Sequence, residues 1–313
     1  MNKIIILEHR VGKFGLGIFL ITIFLAGFGF AKEKVVVGSK IDTEGSLLGN
    51  MIMFMLEEND IPTVNKTQLG PTNIVRNAIK TGQIDIYPEY TGNGAFFFDN
   101  FEKGVFKDFQ KGYETVKRLD YKKNKIVWLT PADANNTWAI ATRKELAEKH
   151  SLKTLEDFAE YVNNGGYVKL ACSEEFATRE DALPAFMEAY GFKLKDENLL
   201  ILSGGNTAQT EKAAARKTSG VNFAMAYGTD GALAALNLVV LEDTKSVQPV
   251  YAPAPIIREE VLNKYPEIEK ILKPVFESLN LEKLQKMNSK IAIGGVPAEI
   301  VAENYLKSNG FID

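Results

Sequence analysis

Few residues of this sequence could serve as a nucleophile or as a general base. Cys172 is the single cysteine, and it lies in the apolar run 168–172, which favours a buried strand thiol over a nucleophile. One cysteine cannot form a disulfide within the chain. His150 follows the predicted helix 144–149, where an exposed helix end is a more ordinary role than that of a catalytic base. Neither residue type indicates a catalytic centre.

Familiar catalytic and metal-binding motifs are also missing from the sequence. There is no P-loop, no G-x-S-x-G elbow, no H-E-x-x-H pair and no paired-cysteine metal motif. Gly204, Gly205 and Asn206 lie between a predicted strand and a predicted helix, where backbone N–H groups could bind an anion, although a simple turn is at least as plausible. Carboxylates are plentiful but form no recognisable constellation. We therefore predict a protein that is not an enzyme and that uses no metal and no cofactor.

The elements that would position a site alternate between short apolar runs and helical patterns. Residues 35–37 form a predicted strand, and an apolar face spans 47–56 of the next helix, which Asp42 or Thr43 can cap. Such alternation predicts an α/β fold. Further strands are predicted at 126–129, 138–142, 168–172, 199–203, 222–227 and 238–241. Helical patterns lie near 104–120, 144–149, 154–163, 179–190, 207–217, 258–264, 267–279 and 297–309.

A second helix and strand precede the turn-rich stretch 88–94. Thr72 can cap that helix, and Gly82 can stop it. The strand is predicted at 84–87. Glycine, proline and asparagine in 88–94 are typical of a loop.

The N-terminus has the charge, apolar stretch and small-residue order of a secretory signal peptide. Arg10 and Lys13 precede the apolar stretch 14–28, and a cut after Ala31 would have small residues at the positions that cleavage requires. A retained membrane anchor is the alternative, because about 15–18 apolar residues approach the length of a membrane span. The abrupt change to charged residues at Lys32 favours cleavage near Ala31 and a periplasmic protein.

The length of the chain and its charge limit the classes of protein to consider. At 313 residues it is long enough for two domains, and its net charge of −3 argues against a nucleic-acid partner. The middle, 137–248, has strands and helices enough for its own lobe, whereas the helical C-terminal part needs something to pack on. We therefore predict a signal peptide at 1–31, one lobe from 32–136 with 249–313, and a second lobe from 137–248. Ligands of such proteins bind between the lobes.

Three stretches resemble the osmoprotectant-binding proteins of ABC importers, the glycine betaine, choline and carnitine group. They are 37–44 (VGSKIDTE), 70–92 (GPTNIVRNAIKTGQIDIYPEYTG), and a set spread over 135–140, 175–181, 226–231 and 249–255. The similarity covers 34–310 in one order. It implies a two-lobed type II periplasmic-binding fold with a ligand cleft between the lobes. It also implies a monomer that binds a small quaternary-ammonium compound and works with an ABC permease and its ATPase.

The resemblance places an aromatic box on four residues. A quaternary ammonium has no N–H donor, and its methyl groups carry a spread positive charge that aromatic faces attract. All four residues lie in turns or at predicted strand ends, where they are better placed to line a cleft than to fill a core. For any one of them alone, a core position would be the more ordinary interpretation. They are Tyr90, Trp138, Tyr227 and Tyr251.

The resemblance also places a carboxylate-binding end on Lys40, Arg179 and Asn93. Arg179 can pair with a ligand carboxylate through two hydrogen bonds, and Lys40 offers a point charge. A bridge from Arg179 to nearby Asp181 or Glu175 is the competing interpretation, and an ordinary surface charge is the alternative for Lys40.

Three departures from the family pattern bear on which ligand is bound. Trp138 stands where tyrosine is usual, Gly45 stands where glutamine is frequent, and Asn93 stands where a hydroxyl or, in choline-preferring relatives, a carboxylate is found. Asparagine can donate to a carboxylate and carries no negative charge, so glycine betaine is favoured over choline. Carnitine or ergothioneine remains an alternative.

Two hypotheses of other classes stay open beside this one. The first is an enzyme on a related two-lobed scaffold, because a fold does not determine a function. The second is a binding protein for another small anion or amino acid, in which the four aromatic residues only fill the core.

Overall fold

A computed structural model describes residues 32–203 and 206–313. The predicted signal peptide at 1–31 and the pair Gly204–Gly205 lie outside the described residues. No helix in the described part of the chain is long and apolar enough to cross a membrane. The strands are β1 (Val35–Lys40), β2 (Thr63–Gly70), β3 (Ile86–Tyr90), β4 (Ile126–Trp128), β5 (Trp138–Arg143), β6 (Leu170–Cys172), β7 (Leu199–Ile201), β8 (Phe223–Tyr227), β9 (Leu238–Val240) and β10 (Pro253–Arg258).

The helices follow the strands in alternation along most of the described chain. They are α1 (Thr43–Glu58), α2 (Thr72–Lys80), α3 (Gly94–Phe97), α4 (Phe109–Asn124), α5 (Lys144–His150), α6 (Leu155–Asn163), α7 (Glu174–Thr178), α8 (Leu183–Tyr190), α9 (Thr207–Ala215), α10 (Ala232–Ala235), α11 (Glu259–Lys264), α12 (Glu267–Ser278), α13 (Leu281–Ala292) and α14 (Ala298–Ser308). The alternation predicted from the sequence is confirmed.

The strands form two five-stranded mixed sheets with the same layout. In the first sheet, of order β2-β1-β3-β10-β4, β1 is parallel to β2 and β3, whereas β10 is antiparallel to β3 and β4. In the second, of order β7-β6-β8-β5-β9, β6 is parallel to β7 and β8, whereas β5 is antiparallel to β8 and β9. The predicted α/β class is therefore confirmed.

The chain passes between the sheets twice, first between β4 and β5 and again between β9 and β10. Because β10 re-enters the first sheet along the whole of β3, Tyr90 pairs with Pro253 and Ile86 with Ile257. This pairing extends β3 to Tyr90, so the prediction that residues 88–90 form a turn is wrong. The side chain of Tyr90 is thereby placed at the end of a strand.

The N-terminal caps explain where the first two helices begin. The Asp42 carboxylate caps α1 and accepts the Gly45 N–H at 2.7 Å, as predicted. The prediction that Thr72 caps α2 is wrong, because Pro71 is the cap residue and its side chain accepts no hydrogen bond. Gly82 has a φ of +72° just beyond Lys80, which confirms it as the stop signal.

Buried residues fill both sides of the sheets. Nearly all of α1 is buried, and it packs on β1 and β2 and against α12, α13 and α14. Cys172 in β6 is fully buried, which confirms the predicted strand thiol, and burial raises the pKa of this thiol to about 12. Within the first half, Arg76 of α2 forms a bidentate ion pair with buried Asp120 of α4, with N–O distances of 2.6 and 2.8 Å. This pair ties the two helices together.

Three elements carry no clear signal in the sequence. β2 is an edge strand with mostly polar, half-exposed residues, so it lacks the alternation that predicts a strand. β10 begins at Pro253 and contains Pro255, and prolines argue against a strand. α13 has few apolar residues and is capped by Asn280, whose side chain accepts the Lys283 N–H.

Candidate functional site

Most of the predicted site residues line one cavity, which encloses about 40 Å³, room for a few water molecules. Arg179 lies beside the cavity on a neighbouring groove of about 910 Å³ and donates hydrogen bonds to Asn93 Oδ1 at 3.0 Å and to the Tyr251 hydroxyl at 3.5 Å. The structure therefore brings all the predicted site residues together. Those that line the cavity are Lys40, Tyr90, Asn93, Trp138, Tyr227 and Tyr251.

Three of the four aromatic residues lie at strand ends, and Tyr251 lies just before β10. Trp138 is the first residue of β5, and it pairs with Tyr227, the last residue of β8. Their rings are stacked, with centroids 6.5 Å apart, and the Tyr251 ring lies 5.7 Å from Trp138. Tyr90, Trp138 and Tyr251 are at most 5% exposed. All four rings belong to one apolar cluster at this cavity.

A glycine makes room for Tyr251 beside the first sheet. A Cβ at Gly92 would lie 2.8 Å from a carbon of the Tyr251 ring, closer than carbon atoms approach in proteins. The segment that follows β3 can therefore contact this ring only without a side chain at that position.

Lys40 is already neutralised by the protein. Its Nζ lies 2.6 Å from buried Glu89 Oε1 and 4.7 Å from the centroid of the Tyr90 ring. Burial alone would raise the pKa of Glu89, but the charge and hydrogen bond of Lys40 lower it below its ordinary value. The Asn93 side-chain amide also donates to Glu89, at 2.7 Å. The two donors predicted for a ligand carboxylate therefore meet at a carboxylate of the chain.

Like Lys40, Arg179 is neutralised by carboxylates of the protein. Its guanidinium forms ion pairs with Glu175 at 2.8 Å and with Asp181 at 2.7 Å, which is the competing interpretation that the sequence left open. The guanidinium carbon lies between two rings, 4.5 Å from the centroid of Trp138 and 4.2 Å from that of Phe96. These carboxylates and the Tyr251 ring raise the pKa of Arg179 further above its ordinary value against the effect of burial.

Beneath Tyr90 lies a buried carboxyl group that sequence reasoning missed. The Tyr90 hydroxyl donates to Glu44 at 3.1 Å, and the amides of Asn136 and Asn288 donate to the same carboxylate at 3.0 and 2.8 Å. Burial raises the pKa of Glu44 to about 7, although these hydrogen bonds oppose it. Glu44 therefore connects the Tyr90 ring to α1, to the first crossing and to α13.

Further polar residues at the cavity were also absent from the prediction. Asp42, Glu175 and Asn136 line it, and the first two place carboxylates beside the aromatic rings. Burial raises the pKa of Asp42. The Trp138 indole Nε1 is buried and donates to no acceptor in the described part of the chain. Only the presence of Asp42 and Glu175 inside the family-like stretches 37–44 and 175–181 could have indicated them.

The arrangement is suited to holding a cation rather than to transforming a substrate. Aromatic faces and carboxylates surround the cavity, and neither Cys172 nor His150 lines it. His150 is exposed at the end of α5, beside the Tyr161 ring, as expected for a helix end. Within the described residues, no group of three or more histidine, cysteine, aspartate and glutamate residues could hold a metal ion.

Comparisons with known proteins agree with this geometry. Residues 33–308 match the family described as the substrate binding domain of ABC-type glycine betaine transport systems. The glycine betaine-binding protein YehZ of Escherichia coli is 58% identical over 281 residues, which cover 90% of this chain and 92% of the relative.

Two solved structures are similar as well. Apo YehZ from Escherichia coli has a TM-score of 0.65 at 58% identity, and the match covers 89% of this chain and 99% of the YehZ chain. The structure of a glycine betaine/carnitine/choline ABC transporter protein has a TM-score of 0.69 at 24% identity and covers 90% of this chain and 100% of its own. The likeness confirms the type II periplasmic-binding fold.

Proposed function

Because the chain belongs to the family of substrate-binding domains of ABC-type glycine betaine transport systems, we propose that it captures glycine betaine or a similar betaine for an ABC importer. Proteins of this family are extracytoplasmic substrate-binding proteins rather than enzymes. The finer parts of the proposal are the ligand, the residues that hold it, the division into lobes and the partners.

The convergence of the aromatic residues is the observation that carries the proposal. Tyr90, Trp138, Tyr227 and Tyr251 come from distant parts of the sequence, yet their rings line a single cavity instead of being scattered through the core. Aromatic faces at such spacing attract a trimethylammonium group by about 0.5–2 kcal/mol each. A binding protein for an unrelated small anion would gain nothing from this arrangement.

Beside the rings, Lys40, Asn93 and Arg179 receive the ligand's carboxylate. Their donor groups hold Glu89, Glu175 and Asp181 in the structure. A ligand carboxylate must therefore share or replace one of these partners. Trp138 Nε1, which has no acceptor among the described residues, offers a further donor.

The mode of action follows from the two sheets. Residues 32–136 with 249–313 form one lobe and residues 137–248 the other, so that closure buries the ligand and creates the surface that the permease recognises. The protein acts as a monomer in the periplasm after cleavage near Ala31, together with the permease and its ATPase.

Choline is the second candidate ligand, because two carboxylates line the cavity. Asp42 and Glu175 attract a cation and repel a carboxylate, so they favour a quaternary amine with no negative end. Carnitine and ergothioneine remain further alternatives within the same chemistry.

Calorimetric titration with glycine betaine, choline, carnitine and ergothioneine tests the proposal. We expect saturable binding of at least one of them, with glycine betaine among those bound. A protein that gives no saturable heat with any of the four does not bind quaternary-ammonium compounds, and the proposal is then wrong.

A further inference from the structure

Glu175 of α7, the helix after β6 of the second sheet, contacts the start of α2, the helix between β2 and β3 of the first sheet. Its Oε1 accepts a hydrogen bond from Arg179 NH1 at 2.8 Å, and its Oε2 faces the backbone N–H of Thr72, the first residue of α2, at 3.4 Å. The side chain is 20% exposed, and it lines both the cavity and the neighbouring groove. It thus lies between the groove and the aromatic rings.

The groups that surround the Glu175 carboxylate favour a negative charge at this position. The first N–H groups of a helix have no partner within the helix, and they carry a partial positive charge. α2 has no side-chain cap, since Pro71 precedes it, and so the Glu175 carboxylate meets the N–H of Thr72 instead. Arg179, the residue directly after α7, adds a full positive charge.

We propose that Glu175 determines the ligand specificity of the cavity, because its carboxylate occupies the place between Arg179 and the start of α2 that the carboxylate of a betaine would take. This inference rests on the proposed function. A betaine must displace Glu175 or bind beside a like charge, whereas choline is accommodated with Glu175 in place and gains from its charge.

The charges around Glu175 strengthen the penalty on a carboxylate. The groove beside the cavity is lined by Asp99, Glu174, Glu180 and Asp181 as well as Glu175, with Arg179 as its cation. A negative groove raises the local concentration of cationic choline, whereas glycine betaine, a zwitterion with no net charge, gains nothing from it. Glu175 is the member of this set that also reaches the aromatic cavity.

The test compares the dissociation constants of glycine betaine and choline in the wild-type protein and in Glu175→Gln. Removing the charge releases one side of Arg179 and should improve the preference for glycine betaine over choline by about tenfold, a modest value because the site is partly exposed. Glu160→Gln, a change of the same kind at an exposed position of α6 that lines neither the cavity nor the groove, should leave the preference unchanged. Glu175→Asp, which keeps the charge, should stay close to the wild type.

Each outcome distinguishes this inference from the proposed function. If the wild-type protein binds either ligand and Glu175→Gln alters both affinities by the same factor or neither, Glu175 has no role in specificity, while the proposed function stands. If the wild-type protein binds neither ligand, the proposed function is wrong, and this inference is wrong with it. A melting temperature within the wild-type range for each variant ensures that the comparison is made on folded protein.

Discussion

The guanidinium carbon of Arg179 lies 4.5 Å from the centroid of the Trp138 ring, so a cation of the protein covers one face of the indole. The Tyr251 and Tyr227 rings also lie near the indole, at centroid distances of 5.7 and 6.5 Å. A ligand ammonium must therefore share the aromatic set with Arg179. This relationship makes Trp138 and Arg179 the two residues whose substitution tells most about the site.

Substitution of Trp138 separates its aromatic face from its N–H group. Trp138→Ala removes both and should weaken every quaternary-ammonium ligand by about tenfold to a hundredfold, equivalent to about 1–3 kcal/mol. Trp138→Phe keeps a smaller aromatic face and removes Nε1, so it should retain much of the affinity for choline and lose more of that for glycine betaine. Isothermal titration with both ligands measures the difference. Equal losses for the two ligands in Trp138→Phe would show that the indole N–H contacts neither.

Arg179→Ala is expected to weaken glycine betaine while largely sparing choline, because only the betaine has a carboxylate for the guanidinium. The structure adds a second consequence, since the substitution leaves Glu175 and Asp181 without their common partner. We therefore expect a lower melting temperature together with the altered ligand preference. Arg143→Ala is a useful comparison, because Arg143 also pairs with a glutamate but lies outside the cavity. An equal loss of affinity for both ligands in Arg179→Ala would contradict the carboxylate role.

The stability of the protein should depend on the protonation of Glu44. Its pKa is raised from an ordinary 4.5 to about 7 by burial, so the folded state binds the proton more tightly than the unfolded state. The stabilisation is fully present below pH 4.5 and is lost as the pH rises through about 7. This stabilisation amounts to about 3 kcal/mol at most, which urea unfolding at pH 5.5 and pH 8 can detect.

Glu44→Gln should flatten this dependence, because glutamine remains neutral at both pH values. Asp230 and Glu211 keep a remaining slope of the same sign, since burial raises the pKa values of these two neighbouring carboxyl groups. Glu58→Gln, at an exposed position of the same helix, should leave the slope unchanged. A Glu44→Gln variant with the full wild-type slope would show that Glu44 does not titrate in this range.

The parts of the site that could be predicted from the sequence are those that depend on local pattern. Trp138 and Tyr227 are at the ends of apolar strand runs, and a strand end places a side chain at the edge of a sheet whichever strand is its neighbour. The pairing of Lys40 with Glu89 could not be predicted, because it depends on β1 and β3 lying side by side. In a chain with 40 acidic residues, sequence spacing does not select which carboxylate meets a given cation.

The dependence on contacts between distant parts of the sequence also explains the errors in the predicted fold. β3 extends to Tyr90 because β10, whose sequence is more than 150 positions away, pairs with it along its length. Thr72 has the residue type of a cap, yet Pro71 takes that position and leaves the N–H of Thr72 to Glu175. Tertiary contacts outweigh local preference at both places.

The ion pair between Arg76 and Asp120 gives the largest expected effect on stability. Arg76 lies in the stretch 70–92 that carries the family resemblance, and the pair is at least 92% buried on both sides. Arg76→Met would leave the Asp120 carboxylate buried with only the N–H donors of Trp128 and Asn124, and should lower the free energy of unfolding by about 3–5 kcal/mol. Arg118→Met, at an exposed position of α4, should cost less than about 0.5 kcal/mol. Denaturant unfolding at neutral pH compares the two variants.

Because Arg76 does not line the cavity, the folded Arg76→Met protein should bind its ligand as tightly as the wild type does. A selective loss of affinity without a loss of stability would show that the arginine serves the site instead of the fold.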